Sequence, residues 1–107
     1  FRYGIDIMRG LGVRPDVIRA GAANLFLSPL FRQTLSMLTG ARIELFNTDG
    51  ALGAARGAAL GAGYYKTRGE AFAALRRLEV VEPAEADRET LEEGYRAWVR
   101  EVEKRME

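Results

Sequence analysis

The sequence has no cysteine and no histidine among its 107 residues. Without cysteine there is no disulfide, no zinc thiolate and no thiol nucleophile, a composition that suits a reducing cytoplasm. Without histidine the chain builds neither a Ser-His-Asp triad nor a histidine-bound metal, so acid–base work near neutral pH would fall to a shifted carboxylate or lysine. An excess of one charge is missing too: 16 Lys and Arg face 15 Asp and Glu, for a net charge of +1. That leaves no general electrostatic drive toward nucleic acid or an anionic membrane. Long apolar runs are absent as well. The longest low-charge stretch, residues 50–65, is interrupted by Arg56 and is too short and glycine-rich to span a membrane, and no signal peptide is visible. The chain opens on Phe1 inside a helical pattern, which reads as a piece of a longer protein or a processed chain.

What is present is ordinary globular composition, 48% hydrophobic and 29% charged, in a length that predicts one domain. Ile5, Met8 and Leu11, with Tyr3 and Ile7 beside them, form a helical stripe that Gly12 stops ahead of Pro15. Val17 to Ala20 reads as a strand ending in a tight loop at Gly21. Ser28 and Pro29 signal a helix start, Leu30, Phe31, Leu35 and Leu38 give it one apolar face, and Gly40 ends it. Arg42 to Phe46 predicts a second strand with Ile43 and Leu45 inward. Asp49 is placed to cap the next helix, over residues 51–63. There Gly53, Gly57 and Gly61 recur on one face and invite close backbone approach. Thr67 to Glu70 fits a capping box for a short helix through Arg77, and residues 78–81 read as a third strand or an extended segment. Pro83 breaks the chain within an acidic, solvated connector. A last helix starts at the capping box of Thr90 to Glu93. Its stripe of Leu91, Tyr95, Trp98, Val99, Val102 and Met106 is expected to be core, with supporting pairs Glu92–Arg96 and Glu101–Arg105. Helices alternating with strands predict an α/β fold with a short parallel sheet and flanking helices, a sheet thin enough to be part of a larger one.

Two segments have the composition of a binding site. In Ile18 to Asn24 a strand runs into small residues, which leave main-chain N–H groups open to a phosphate or a flat base. On residue type alone a tight turn is the commoner use of such a run, and neither a Walker pattern nor GxGxxG occurs. In Asp49 to Ala55, small residues follow a helix start, where the helix dipole favours an anion. Asp49 opposes an incoming phosphate, and close packing of a capped helix on the sheet is the plainer reading. Trp98 and the Tyr64-Tyr65-Lys66 run read as packing residues, and the acidic run at 82–93 lacks the ligand spacing of a calcium loop.

Taken in order, these segments resemble the FGGY carbohydrate kinases. That family carries a strand, a glycine-rich turn, Ser-Pro-Leu-Trp-Arg-Gln or similar on a helix, a short strand, then an acidic residue, glycine and Ala-Leu-Gly-Ala-Ala. Here the matching runs are Ile18-Arg19-Ala20-Gly21, Ser28-Pro29-Leu30-Phe31-Arg32-Gln33, Ile43-Glu44-Leu45 and Asp49-Gly50-Ala51-Leu52-Gly53-Ala54-Ala55. The run from Ala23 to Pro29 is similar to the xylulokinase branch in particular. The resemblance implies the C-terminal part of domain II of such a kinase, with a ribonuclease-H-like (actin-like ATPase) fold, working in the cytoplasm. It implies ATP with Mg2+ as cofactors, Gly21, Ala22, Ala23 and Asn24 against the nucleotide, and Asp49 and Gly50 supporting that wall. It places the sugar substrate, the magnesium site for the most part, the Asp-x-Gly-Thr phosphate loop and the catalytic aspartate outside this chain, and it admits a homodimer. The family's triple glycine is Gly-Ala-Ala here, with extra residues before Ser28, and alanine resists positive φ. A non-catalytic nucleotide-binding scaffold of the actin-like fold is the alternative. A small α/β interaction module, with covered sheet edges, is a third reading.

Overall fold

The computed structural model describes residues 1–107. Local chemistry sets most element ends. Ser28 Oγ accepts the Phe31 N–H at 3.3 Å and Pro29 takes the first helical position, which starts a helix cleanly at Pro29. That helix closes at Gly40, whose φ of 70° is the left-handed conformation that glycine adopts without cost. Asp49 and Thr67 cap the following helices through the N–H groups of Leu52 and Glu70. The element order is α1 (Arg2–Gly10), β1 (Val17–Gly21), a 3-10 turn (Asn24–Leu27), α2 (Pro29–Thr39), β2 (Arg42–Phe46), α3 (Gly50–Gly61), α4 (Arg68–Ala71), β3 (Arg77–Val81) and α5 (Arg88–Met106).

The fold is mixed α/β. Its three strands lie in the order β1-β2-β3, with β1 parallel to β2 from Val17↔Arg42 to Gly21↔Phe46. The all-parallel expectation fails at β3, which runs antiparallel to β2. Asn47 shows why. Its backbone N–H donates to Arg76 O at 3.0 Å, its side-chain carbonyl accepts the Arg76 N–H at 2.5 Å, and its amide donates to Ala74 O at 3.1 Å. This clasp delivers the chain to the finishing end of β2, so β3 can only run back along it. Helix α4 ends at Ala71, short of the expected Arg77, and the clasped residues Ala74 and Arg76 lie outside it.

Leu35, Ile43 and Leu45 form the core, with Ile18, Ala20, Phe26, Phe31 and Val81 packed around them. On the opposite sheet face Glu44 is only 4% exposed. It is ion-paired to Arg19, Arg42 and Arg77 at 3.0, 3.2 and 3.3 Å, and the Arg19 hydrogen bond leads the effects that hold its carboxyl below the usual glutamate range.

Two packing expectations are overturned. The stripe of α5 is not core: no residue of this helix is buried, and Trp98 is 51% exposed. Trp98 stacks on Tyr95 and meets Tyr3 edge-on, with ring centroids 6.1 and 5.8 Å apart. Periodicity marks an apolar face, but the α1 residues it meets include the charged Arg2 and Asp6 as well as Tyr3. Helix α5 also begins at Arg88, after Asp87 in a left-handed conformation, so the proposed capping box lies inside the helix. Of its expected pairs, Glu92–Arg96 forms at 4.0 Å, while Glu101 pairs with Lys104 instead of Arg105. Nor does α3 use its glycines for close approach. A Cβ built at Gly53, Gly57 or Gly61 meets nothing within 4 Å, and no residue of α3 is buried.

Polar contacts join α5 to α1 instead. Arg2 bonds Asp6 at 2.8 Å and Glu92 at 3.0 Å and lies 4.7 Å from the Tyr95 ring centre, while the Tyr95 hydroxyl donates to Asp6 at 2.9 Å. Arg2 also donates to the Leu38 carbonyl and Arg9 to that of Thr39, which ties the pair to the end of α2. Burial pushes the Asp6 carboxyl up, but hydrogen bonds from Tyr95 and Arg2 and the charge of Arg2 outweigh it and leave it below the usual aspartate range. Burial, then Asp6, push Tyr95 up to about 12. The lowered Asp6 contributes stability at neutral pH that is lost as pH falls through its folded value. The raised Tyr95 contributes stability that is complete below about pH 10 and lost as pH rises toward 12. Fluorescence of Trp98, the single tryptophan, should therefore stay flat between about pH 5 and 10 and change at both extremes. Tyr95→Phe should remove the alkaline change and cost about 1 kcal/mol in chemical denaturation.

Candidate functional site

In a parallel pair both strands deliver their following loops to the same end of the sheet, and in open α/β folds ligands sit beyond that carboxyl end. Here that end brings together the two segments picked out by composition. Gly21 is the last residue of β1, opposite Phe46 at the end of β2. The Ala22 N–H donates to Phe46 O at 2.9 Å, which binds the first loop to the second strand. A Cβ on Gly21 would collide with the Thr48 carbonyl and stand 3.3 Å from Asp49 Cα. Glycine is required here by that close approach, since its φ is not positive.

The backbone cradle expected of Gly21 to Asn24 is narrower than composition suggests. The Ala22 N–H is spent on Phe46 O, and the Ala23 N–H on Gly21 O at 2.8 Å. Neither alanine adopts positive φ; the left-handed residue of the loop is Asn24, at φ 52°. Asparagine tolerates that region better than most side chains. Asn24 is exposed, and its side-chain amide makes no hydrogen bond within the chain. The loop therefore keeps Gly-Ala-Ala without strain at the alanines and places its one free polar side chain at the tip.

Across from it, Asp49 Oδ1 accepts the Leu52 N–H at 2.8 Å, so this carboxylate is engaged as a cap. The N–H groups of Gly50 and Ala51 belong to the first turn of α3 and have no partner within that helix. Arg56 reaches back to the same turn, donating to Thr48 Oγ1 at 2.9 Å, and makes no ion pair. Composition gave no sign of this: Arg56 stood out only as a break in an apolar run. It is visible once helical side chains are taken to lean toward the helix start. No group of three carboxylates, cysteines or histidines converges in the chain, so its residues form no metal cage. What this end of the sheet does bring together is small residues, a free amide, a helix start and one unpaired cation.

Sequence reasoning also missed Arg32. This side chain in the first turns of α2 is 9% exposed, its Nη1 donates to Phe26 O at 2.8 Å, and its Nη2 pairs with Glu79 at 2.9 Å. An arginine beside the apolar face of a helix carries no periodic signal of burial. The aromatic residues that read as packing lie elsewhere. Tyr64 and Tyr65 meet edge-on at 5.0 Å beyond the end of α3, and Trp98 lies against α1.

Gly21→Ala should force β1 away from the Thr48 turn and cost about 1–3 kcal/mol in denaturant unfolding, an overpacking penalty. Asp49→Ala should cost about 1 kcal/mol, as the loss of a helix cap does. Equal stability of Gly21→Ala and the parent chain would show that the two loops are not in contact. No protein-family model matches this chain, and no curated protein matches it.

Proposed function

We propose that this chain is part of domain II of an FGGY-type carbohydrate kinase of ribonuclease-H-like fold, where it forms one side of the nucleotide site. The observation that carries the proposal is the meeting of the Gly21–Asn24 loop and the Asp49-capped start of α3 at the carboxyl end of a parallel strand pair. These are two of the segments that carry the resemblance, and they are separated by the whole of α2 and β2 in sequence.

Two further features support it. Strand β1 has β2 as its only partner, so its outer edge is open, unlike the covered edges of a self-contained module. The chain also exposes 7574 Å², against about 5,900 Å² for a compact monomer of its mass. Its radius of gyration is 17.0 Å, where about 13 Å is usual. Such a surface suits a unit packed against further structure.

In this reading ATP, carrying Mg2+, supplies the phosphoryl group and a sugar hydroxyl accepts it, with D-xylulose as the proposed substrate. The chain's own residues orient the nucleotide. Asn24 offers its amide, the first N–H groups of α3 and Arg56 favour the negative phosphates, and the small residues admit them. The base that takes the hydroxyl proton belongs to residues outside this chain, so the 107 residues alone are inactive. The engagement of the Ala22 and Ala23 N–H groups favours a second reading, a scaffold that binds nucleotide without transfer.

An ATP-coupled assay of the intact protein against a panel of pentuloses, hexuloses and polyols separates the two. Phosphorylation of D-xylulose above the other sugars is expected. No phosphorylation of any sugar, with nucleotide still bound, would establish the scaffold.

A further inference from the structure

Arg32 has no place in the reading above, yet it is the most buried cation of the chain. Its Nη1 donates to the carbonyls of Phe26 at 2.8 Å and Leu27 at 3.4 Å, and its Nη2 holds Glu79 of β3 at 2.9 Å. Its Nε is buried without an acceptor. A buried guanidinium with an unspent donor is a costly way to join a helix to a strand. Its geometry matches a different task. Phe26 and Leu27 close the 3-10 turn that begins at Asn24. The site loop is thus pinned at both ends, by the Ala22 N–H on Phe46 O and by Arg32 on the turn's carbonyls. Between the pins Asn24 is held at φ 52°, a conformation that a non-glycine residue keeps only when its surroundings over-determine it.

We infer that Arg32 is a positioning residue for the nucleotide. It fixes the left-handed Asn24 and its free amide by gripping the Phe26 and Leu27 carbonyls, and Glu79 anchors its guanidinium from the neighbouring strand. The inference rests on the kinase reading for the nucleotide's location. A lysine keeps the charge but loses the fork that reaches two carbonyls and a carboxylate at once.

The test uses the intact protein with Arg32→Lys and, as a variant that leaves the arginine in place, Glu79→Gln. Arg32→Lys should raise the KM for ATP about tenfold, the equivalent of one charge-assisted hydrogen bond, with the KM for the sugar unchanged. Glu79→Gln should act in the same direction more weakly. Calorimetric titration with ADP gives the second measurement, and a Kd weakened about tenfold in Arg32→Lys is expected there too. An unchanged KM for ATP and Kd for ADP, with only a lower melting temperature, would overturn the inference by making Arg32 purely structural. If the parent protein phosphorylates no sugar but its ADP affinity still falls in Arg32→Lys, the kinase reading fails and the role of Arg32 stands. A parent protein that binds no ADP overturns both.

Discussion

The middle strand is the constraint on which everything else depends. Residues Arg42–Phe46 hydrogen-bond to β1 on one side and β3 on the other, and each face of this strand is closed differently. Ile43, at 0% exposure, and Leu45, at 2%, lie in one core with Leu35 and Phe31 of α2 and Phe26 of the 3-10 turn. Burial of side chains of this size is worth roughly 1.5–3 kcal/mol each. On the other face Glu44 sits beneath three arginines drawn from all three strands. Such a buried carboxylate adds little net stability, because desolvation offsets much of the attraction, but its partners on the neighbouring strands, Arg19 and Arg77, reach it only when those strands are in register. Apolar burial thus holds β2 in place, and the charged cluster specifies its alignment.

That alignment decides what happens at the sheet's carboxyl end. Because β1 and β2 run in the same direction and in register, Gly21 and Phe46 finish together and their loops are forced into contact. The loops differ in how they are held. The second is made rigid by its own chemistry, through the Asp49 cap and the Asn47 clasp. The first has only backbone and an asparagine of its own, and borrows rigidity from Phe46 and Arg32. A loop made from small residues has few side chains with which to fix itself, so its geometry is set from outside.

Much of the fold is legible in the sequence where a single residue has a single physical task. Ser28, Asp49 and Thr67 cap helices, Gly40 turns left-handed, and Ile43 and Leu45 face inward, each as its chemistry dictates. Legibility ends where a property depends on what lies opposite. The α5 stripe is apolar, but how far it is covered depends on α1, which sets Arg2 and Asp6 against Tyr95 and offers Trp98 only the edge of Tyr3. The glycine ladder of α3 permits close approach, yet nothing in the chain approaches it. The direction of β3 is set by three hydrogen bonds of Asn47 to residues 27 and 29 positions away, beyond the range of any periodic pattern. Of the candidate site, composition identified both loops and their order. It did not show that Ala22 and Ala23 spend their N–H groups locally, nor that Arg32 and Arg56 turn toward the loops.

The missing side chain at Gly21 has a mechanical consequence. With the Thr48 backbone seated where a Cβ would stand, the end of β1 and the start of α3 have no slack between them. The pair transmits displacement as one rigid part. Any opening or closing of a cleft that this end of the sheet borders must therefore find its pivot elsewhere in the polypeptide, and both loops must travel together when it moves.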